Sequence, residues 1–349
     1  MNLYYFANQI YQYSYALPIY HSMGGHFILK SLKRFFQFKR HLKDTNFDPG
    51  IRTWQNTPPT RFVAVSRVHR LKGVVISMST APIHGQPQNC RTIFVGHGTG
   101  DKKYGPNAEL LKSYDYHFLS GPKHLEKLRD VGMNIPDHKL IKIGNPRFDD
   151  YINGKIDRER ELDRLGIVDR TRRNILYAPT WQWGNGTLQR YVYHFARTLT
   201  LEYNLIIRPH HHDRAHIPKI AKWASQNRIH HIYFSNPIAL GAADTMNDFR
   251  VSDLMISDTS SILYEYLITN QPIIVAVNDF DDLHHMPDGM NIMNYARIYD
   301  GTQEIDRLVE ASLADKTFHD RYRKLLDNCF YFNDGKSVER AVNFIRSIS

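Results

Sequence analysis

The stretch Leu254-Met255-Ile256-Ser257-Asp258-Thr259-Ser260-Ser261-Ile262-Leu263-Tyr264-Glu265 joins a short apolar run to a helical one through a turn of small hydroxyl residues. A strand that feeds a helix through such a turn is an α/β unit. The helix start presents free backbone N–H groups, a partial positive dipole and side-chain donors, which suit a phosphate as well as ordinary capping. Ser260 and Ser261 stand at that tip, with Asp258 just before it. Glu265 follows one turn further in, at a distance from which its carboxylate would accept hydrogen bonds from a ribose whose phosphates rest on the tip.

Outward from this unit the same alternation repeats. Short β-branched or aromatic runs occur at residues 16–20, 62–66, 74–78, 92–95, 116–119 and 140–143, then at 175–178, 205–208, 231–234, 254–257 and 273–277. Longer amphipathic or charged stretches separate them, so the expected class is α/β with parallel sheets. At 349 residues the chain exceeds a typical single domain, and two domains of comparable size are expected. Residues 155–174, dense in Arg, Asp and Glu, read as a surface helix and connector. The expected domains are 1–165 and 166–330, with 331–349 a helix that packs back on the first.

Parallel sheets bind ligands beyond the carboxyl ends of their strands, which makes four more turns informative. After 92–95 comes Gly96-His97-Gly98-Thr99-Gly100-Asp101-Lys102-Lys103. Glycines there let the backbone approach a ligand, and His97 is the best general-base candidate, because imidazole titrates near working pH. A structural turn histidine is the competing reading. After 140–143 comes Gly144-Asn145-Pro146-Arg147-Phe148-Asp149, a turn in which Arg147 is a fixed cation; after 175–178 comes Pro179-Thr180-Trp181. After 205–208 comes Pro209-His210-His211-His212-Asp213. Arg208 and His210 are expected as a cationic pair that neutralises a diphosphate, with His211 and His212 as exposed loop residues. Consecutive side chains are not expected to converge on one ion, and no HExxH-like spacing occurs, so neither a metal nor a cofactor is expected.

The net charge of +10 implies attraction to anions, whether nucleic acid, acidic lipid or a phosphate-rich substrate. Lys30, Lys33, Arg34, Lys39, Arg40 and Lys43 interleave with Leu32, Phe35, Phe36, Phe38 and Leu42, without an acidic residue between them. Such a helix suits an anionic membrane surface or a polyanion, and equally a solvated helix with a buried stripe. No nucleic-acid-binding signature accompanies it, so nucleic acid is not an expected partner. Two cysteines, Cys90 and Cys329, far apart in sequence, fit a reducing cytoplasm. No apolar run approaches the ~20 residues of a membrane span, and Met1-Asn2-Leu3-Tyr4-Tyr5 does not read as a secretory signal. The expected location is the cytoplasm, with the inner face of the plasma membrane as a peripheral site.

Together these segments resemble the CDP-glycerol glycerophosphotransferase family, of the teichoic-acid-polymerase type. Phe94-Val95-Gly96-His97-Gly98-Thr99 is similar to the family's strand ending in His-Gly-Thr, and the 144–149 turn to its Gly-x-Pro-Arg-x-Asp. Leu176 through Trp181 resembles Leu-Tyr-Ala-Pro-Thr-Trp, and Arg208-Pro209-His210 resembles Arg-x-His. Ser257 through Ser261 resembles Ser-Asp-x-Ser-Ser, followed by Gln271-Pro272-Ile273-Ile274 where the family has Lys-Pro-Ile-Ile. The likeness implies a GT-B architecture, two Rossmann-like domains whose parallel sheets face a central cleft.

Carried over residue by residue, it implies that His97 is the base toward an acceptor hydroxyl, that His210 helps to hold the donor diphosphate, and that Ser260 and Ser261 cap those phosphates. Thr180 and Arg208 are implied in the phosphate shell, and Glu265 at the ribose by GT-B analogy. Gly98, Thr99, Arg147 and Asp258 are further candidates within the same motifs. The chain departs from the family's usual His-Gly-Thr-Pro-Leu-Lys with Gly100-Asp101-Lys102-Lys103, from its frequent phosphate-loop tyrosine with Thr259, and from its apolar residue with Pro209.

The implied reaction is transfer of a phosphopolyol, glycerol phosphate first, from a CDP-activated donor to a hydroxyl of a surface glycan or teichoic-acid-like polymer, with release of CMP. Two other classes stay open. A Gly-rich first loop, Gly24-Gly25-His26, also suits a nucleotide-sugar glycosyltransferase or a UDP-N-acetylglucosamine 2-epimerase-like enzyme, and the basic segment suits a non-enzymatic anion-binding module.

Overall fold

The structure, a computed structural model, describes residues 2–29, 31–43, 61–64, 70–80, 89–105, 108–237 and 244–348. The first lobe runs β1 (Leu3–Phe6), α1 (Leu17–Met23), β2 (His26–Leu29), α2 (Leu32–Lys43), β3 (Arg61–Ala64), β4 (Gly73–Ser77), β5 (Cys90–Phe94), β6 (Tyr116–Leu119), α3 (Pro122–Asp130) and β7 (Leu140–Lys142). Its seven strands are all parallel, in the order β3-β2-β1-β4-β5-β6-β7. The strand order reverses between β1 and β4, so a crevice opens there at the carboxyl ends.

The second lobe runs α4 (Phe148–Ile152), α5 (Arg158–Leu165), β8 (Asn174–Tyr177), α6 (Leu188–Leu199), β9 (Asn204–Ile207), α7 (Ile217–Gln226), β10 (Ile232–Phe234), α8 (Thr245–Val251), β11 (Leu254–Ser257), α9 (Ile262–Tyr266), β12 (Ile273–Ala276), β13 (Arg297–Tyr299), α10 (Ile305–Ala314) and α11 (Phe318–Cys329). Six parallel strands order as β10-β9-β8-β11-β12-β13, with the reversal between β8 and β11. The chain ends in α12 (Ser337–Ser347).

Strands covered on both faces must be apolar throughout, and β8, β9, β11 and β12 are buried at every position. Two polar exceptions are tied to each other and to the backbone: Asn204 Nδ2 donates to Asn174 Oδ1 at 2.9 Å, and Asn174 Nδ2 to the Val251 carbonyl at 2.8 Å. Leu162 and Leu165 of α5 pack into the second lobe's core with Met246, Phe249 and Tyr322. The expected boundary at residue 165 therefore falls after a helix that belongs with the second sheet. Ala341 and Ile345 of α12 pack into the first lobe's core beside Leu17, Ile19 and Tyr20. The two backbone N–H groups of Ser337 and Val338 that open α12 donate to Asp149, at 3.0 and 2.7 Å. The Asp of the 144–149 turn is thus the cap of the returning helix.

Residues 16–20, expected as a strand, are helical: Pro18 sits in the first turn of α1, where its missing N–H costs nothing. Leu17, Ile19 and Tyr20 are buried there on a helical face. The Gly24-Gly25 pair follows this helix and precedes a strand, the reverse of a phosphate-binding glycine loop. Strands β1, β2 and β13 were not foreseen, and residues 65–66 of the expected 62–66 strand lie outside the described residues. So do Lys30 and the side chains of Lys39, Arg40 and Lys43 in the basic segment. Among the described residues no helix is long and apolar enough to cross a membrane.

Candidate active site in the interlobe cleft

Both reversals face one cavity of about 470 Å³ between the lobes, within the usual size of a small-molecule site. Tyr11, Gly96, His97, Gly98, Lys102 and Lys127 line it from the first lobe. Thr180, Trp181, Arg208, His210, Ser260 and Ser261 line it from the second.

His97 follows β5, and its Nδ1 lies 2.8 Å from the carbonyl of Met78, the residue after β4. A carbonyl only accepts, so Nδ1 carries the proton and Nε2 keeps its lone pair. Burial depresses the pKa of His97, and the Lys127 charge adds to this against the Met78 bond. The ring is therefore neutral and oriented at pH 7, with Nε2 as an acceptor. Gly98 has φ of +120°, and a Cβ there would lie 2.7 Å from Ser261 Oγ. Only glycine lets the His97 turn seat against the opposite lobe's Ser260-Ser261 turn.

That second turn is shorter than the sequence suggested. Ser261 is itself in helical conformation without a side-chain cap, and α9 spans five residues before a 3-10 turn. Asp258 does not face the cavity. Fully buried, it accepts from the Thr180 amide (2.7 Å) and from the Thr187 amide and hydroxyl (both 2.9 Å), which locks the loop after β8 to the end of β11. Burial raises its pKa against these bonds. Asp258 thus places Thr180 rather than touching a ligand.

Glu265 also departs from its expected place at a ribose. Its carboxylate is 1 % exposed and accepts from Arg147 Nη1 at 2.5 Å and from the Tyr15 hydroxyl at 3.0 Å. Arg147 in turn donates to Asp244 at 2.7 Å and lies over the Tyr15 ring. Burial raises the pKa of Glu265 while Arg147 opposes the rise; Asp244 resists the same burial effect and is held low by Arg147. With Thr99, whose buried hydroxyl has no partner among the described residues, Glu265 lines a separate small cavity. The Arg147–Glu265 pair is a bolt between the lobes.

Arg208 and His210 are not a cationic pair. Arg208 donates to Ser235 at 2.8 Å and to the fully buried Asp248 at 2.6 Å. Burial, then the neighbouring His212 and Lys102, push the His210 pKa down to about 3. Nδ1 of His210 accepts from the His212 amide at 3.4 Å, so the neutral ring carries its proton on Nε2, which is a hydrogen-bond donor. His211 is drawn in as well, half-buried, whereas His212 stays exposed as expected. Tyr11 lies against His210 and His211, Trp181 against His210 and His212, and ligand atoms of the three histidines fall within 4.8 Å of one another. The turn does bring the three consecutive imidazoles together, where the sequence reading did not expect them to converge on one ion.

Several cavity residues were missed in the sequence, Tyr11, Lys127 and Lys102 among them. Tyr11 comes from a 3-10 segment, Ile10–Tyr15, that carried no motif. Lys127 is 96 % buried, donates to the Gly100 carbonyl at 2.7 Å, and is pushed by burial and by Lys123 down to about 7. Lys102 crosses the cleft to Thr180. Of these, Lys102 alone had a visible signal, its place in the His97 turn.

Two facing Rossmann-like lobes with a shared cleft define a GT-B protein. Residues 33–347 match the family described as CDP-glycerol:poly(glycerophosphate) glycerophosphotransferase, and the chain belongs to that family. It is 26 % identical over 280 residues to the teichoic acid ribitol-phosphate polymerase of Staphylococcus aureus, covering 71 % of this chain and 44 % of the relative. It is 28 % identical over 254 residues to the teichoic acid glycerol-phosphate primase of Bacillus subtilis, covering 69 % and 59 %. The chain spans about half the length of the curated relatives it matches. The solved structure of a wall teichoic acid polymerase superposes with a TM-score of 0.69 at 16 % identity, over 99 % of this chain and 89 % of that one.

Proposed function

We propose that this protein transfers glycerol phosphate from CDP-glycerol to a hydroxyl of a teichoic-acid-like polymer or cell-surface glycan and releases CMP. The observation that carries the reading is an oriented, neutral His97 on one wall of the cleft, opposite Ser260, Ser261, Thr180 and His210 on the other. The acceptor hydroxyl gives its proton to His97 Nε2 as its oxygen forms a bond to the β-phosphorus. The bond from that phosphorus to the bridging oxygen breaks, and CMP departs with the negative charge. Displacement at phosphorus is chiefly a matter of positioning and charge stabilisation. The Nε2–H of His210, the hydroxyls of Thr180, Ser260 and Ser261, and the Arg208 guanidinium would supply the donors.

An anionic membrane surface is the proposed setting, supported by Leu32 and Phe36, which are 76 % and 64 % exposed beside Lys33 on α2. The test is product identity. With CDP-glycerol and a polyol-phosphate acceptor, CMP should appear in step with acceptor elongation. Release of a nucleoside diphosphate from a UDP-sugar, with none of CMP, would move the protein to the nucleotide-sugar class.

A further inference from the structure

Lys102 belongs to the first lobe, on the loop after β5, yet its Nζ donates to Thr180 Oγ1 at 2.8 Å on the second. We infer that Lys102 is a donor-phosphate ligand supplied by the acceptor lobe, so that the CDP-linked donor is held by both lobes at once. The inference rests on the proposed function above and extends it to a specific residue and to the coupling of donor binding with lobe contact.

Four observations carry it. First, the Lys102 ammonium lines the cavity with a neutral hydroxyl as its hydrogen-bond partner and makes no ion pair among the described residues. Its other contact is the Phe280 ring, 5.0 Å from Nζ, and the carboxylate that acts on it, Asp258, already accepts three hydrogen bonds from Thr180 and Thr187. A half-buried cation without a paired anion is a site waiting for negative charge. Second, Lys102 and His210 line the same cavity from opposite lobes, so both groups face one space.

Third, the placement is built by the backbone rather than left to a flexible side chain. The Lys103 amide donates to the Asp282 carbonyl at 3.2 Å, the His284 amide to the Asp101 carbonyl at 2.7 Å, and Lys102 forms an antiparallel bridge with Leu283. Fourth, the second lobe leaves room for the ammonium. A Cβ at Gly184 would overlap Nζ of Lys102, so a side chain there would have to push the ammonium aside.

The test titrates the full chain with cytidine, CDP and CDP-glycerol by calorimetry, for wild type, Lys102→Met and Gly184→Ala. Lys102→Met keeps the stem and removes the charge; Gly184→Ala keeps the charge and displaces it. Both variants should bind CDP and CDP-glycerol roughly 10- to 100-fold more weakly, as expected for a lost charge-assisted hydrogen bond. Cytidine affinity should be unchanged within a factor of two or so.

A Lys102→Met protein that holds CDP-glycerol as tightly as wild type overturns the inference. So does one that loses cytidine and CDP in equal measure, since an interlobe strut has no phosphate selectivity. A wild-type chain that binds no cytidine nucleotide overturns the transferase reading itself, a result distinct from either of these.

Discussion

Replacing His97 by Asn is the sharpest probe of the catalytic reading. The amide nitrogen of Asn stands near the position of imidazole Nδ1, so the variant can keep the 2.8 Å bond to the Met78 carbonyl that orients the turn. It loses only the basic Nε2. General-base assistance is worth roughly 10²–10⁴ in rate, or about 2.7–5.4 kcal/mol at 1.36 kcal/mol per decade. The ring is pinned by its backbone bond and pays little orientational entropy in the reaction, so the loss should lie in the upper half of that range. The pH profile adds a second readout. Burial lowers the His97 pKa below its ordinary 6.5, and the base acts when neutral. In wild type, kcat/KM should therefore hold level down through pH 6.5 and fall tenfold per unit only below the depressed pKa. The residual rate of His97→Asn should lack that acid limb. The assay is CMP release over a range of CDP-glycerol concentrations, from limiting to saturating, with donor affinity measured separately. A variant that retains its maximal rate but loses donor affinity, or one that keeps the same acid limb, refutes the assignment of His97 as base.

Arg147→Met should destabilise the fold by about 3–5 kcal/mol, because it strands Glu265 in a buried site; adding Glu265→Leu should recover part of this in urea unfolding, and a strictly additive double variant would deny the coupling. His117 and His124 are 0 % and 2 % exposed, and burial pushes them down to about 4 and about 3. Below pH 6.5 the unfolded chain takes up protons that the folded state refuses, so their contribution is intact above 6.5 and each costs about 1.4 kcal/mol per pH unit as pH falls toward the folded values. Unfolding of His124→Phe at pH 7.5, 6 and 5 should show a shallower acid slope than wild type. Asp149→Ala should cost about 0.5–2 kcal/mol through loss of the α12 cap, seen as a lower midpoint of thermal unfolding with donor affinity retained.

The legible parts of the site were those where one short segment carries both a strand end and its chemistry. His97 follows β5, Thr180 follows β8 and His210 follows β9; each could be placed at a carboxyl end because parallel strands leave their ligand-facing residues there. The illegible parts depend on partners distant in sequence. Glu265 looked free because nothing near it announces Arg147, 118 residues away, or Tyr15, 250 away. Asp258 looked like part of a phosphate loop because its acceptors' customers, Thr180 and Thr187, belong to another strand's loop. The 16–20 run misled because a buried helix turn and a buried strand are equally apolar over five residues.

Local patterning was enough to establish an α/β chain with two parallel sheets and to mark the turns where chemistry sits. Those features follow from apolar runs, glycines and hydroxyls whose effects are settled within a few residues. Which groups are charged, which are already spent on a partner, and which cross the cleft was decided only by the packing of the lobes. Burial turns His210 from a cation into a neutral donor, Arg147 takes Glu265 out of the ligand's reach, and the missing side chain of Gly184 lets Lys102 enter. Solvation and pairing are properties of the three-dimensional surroundings, and no window of sequence contains them.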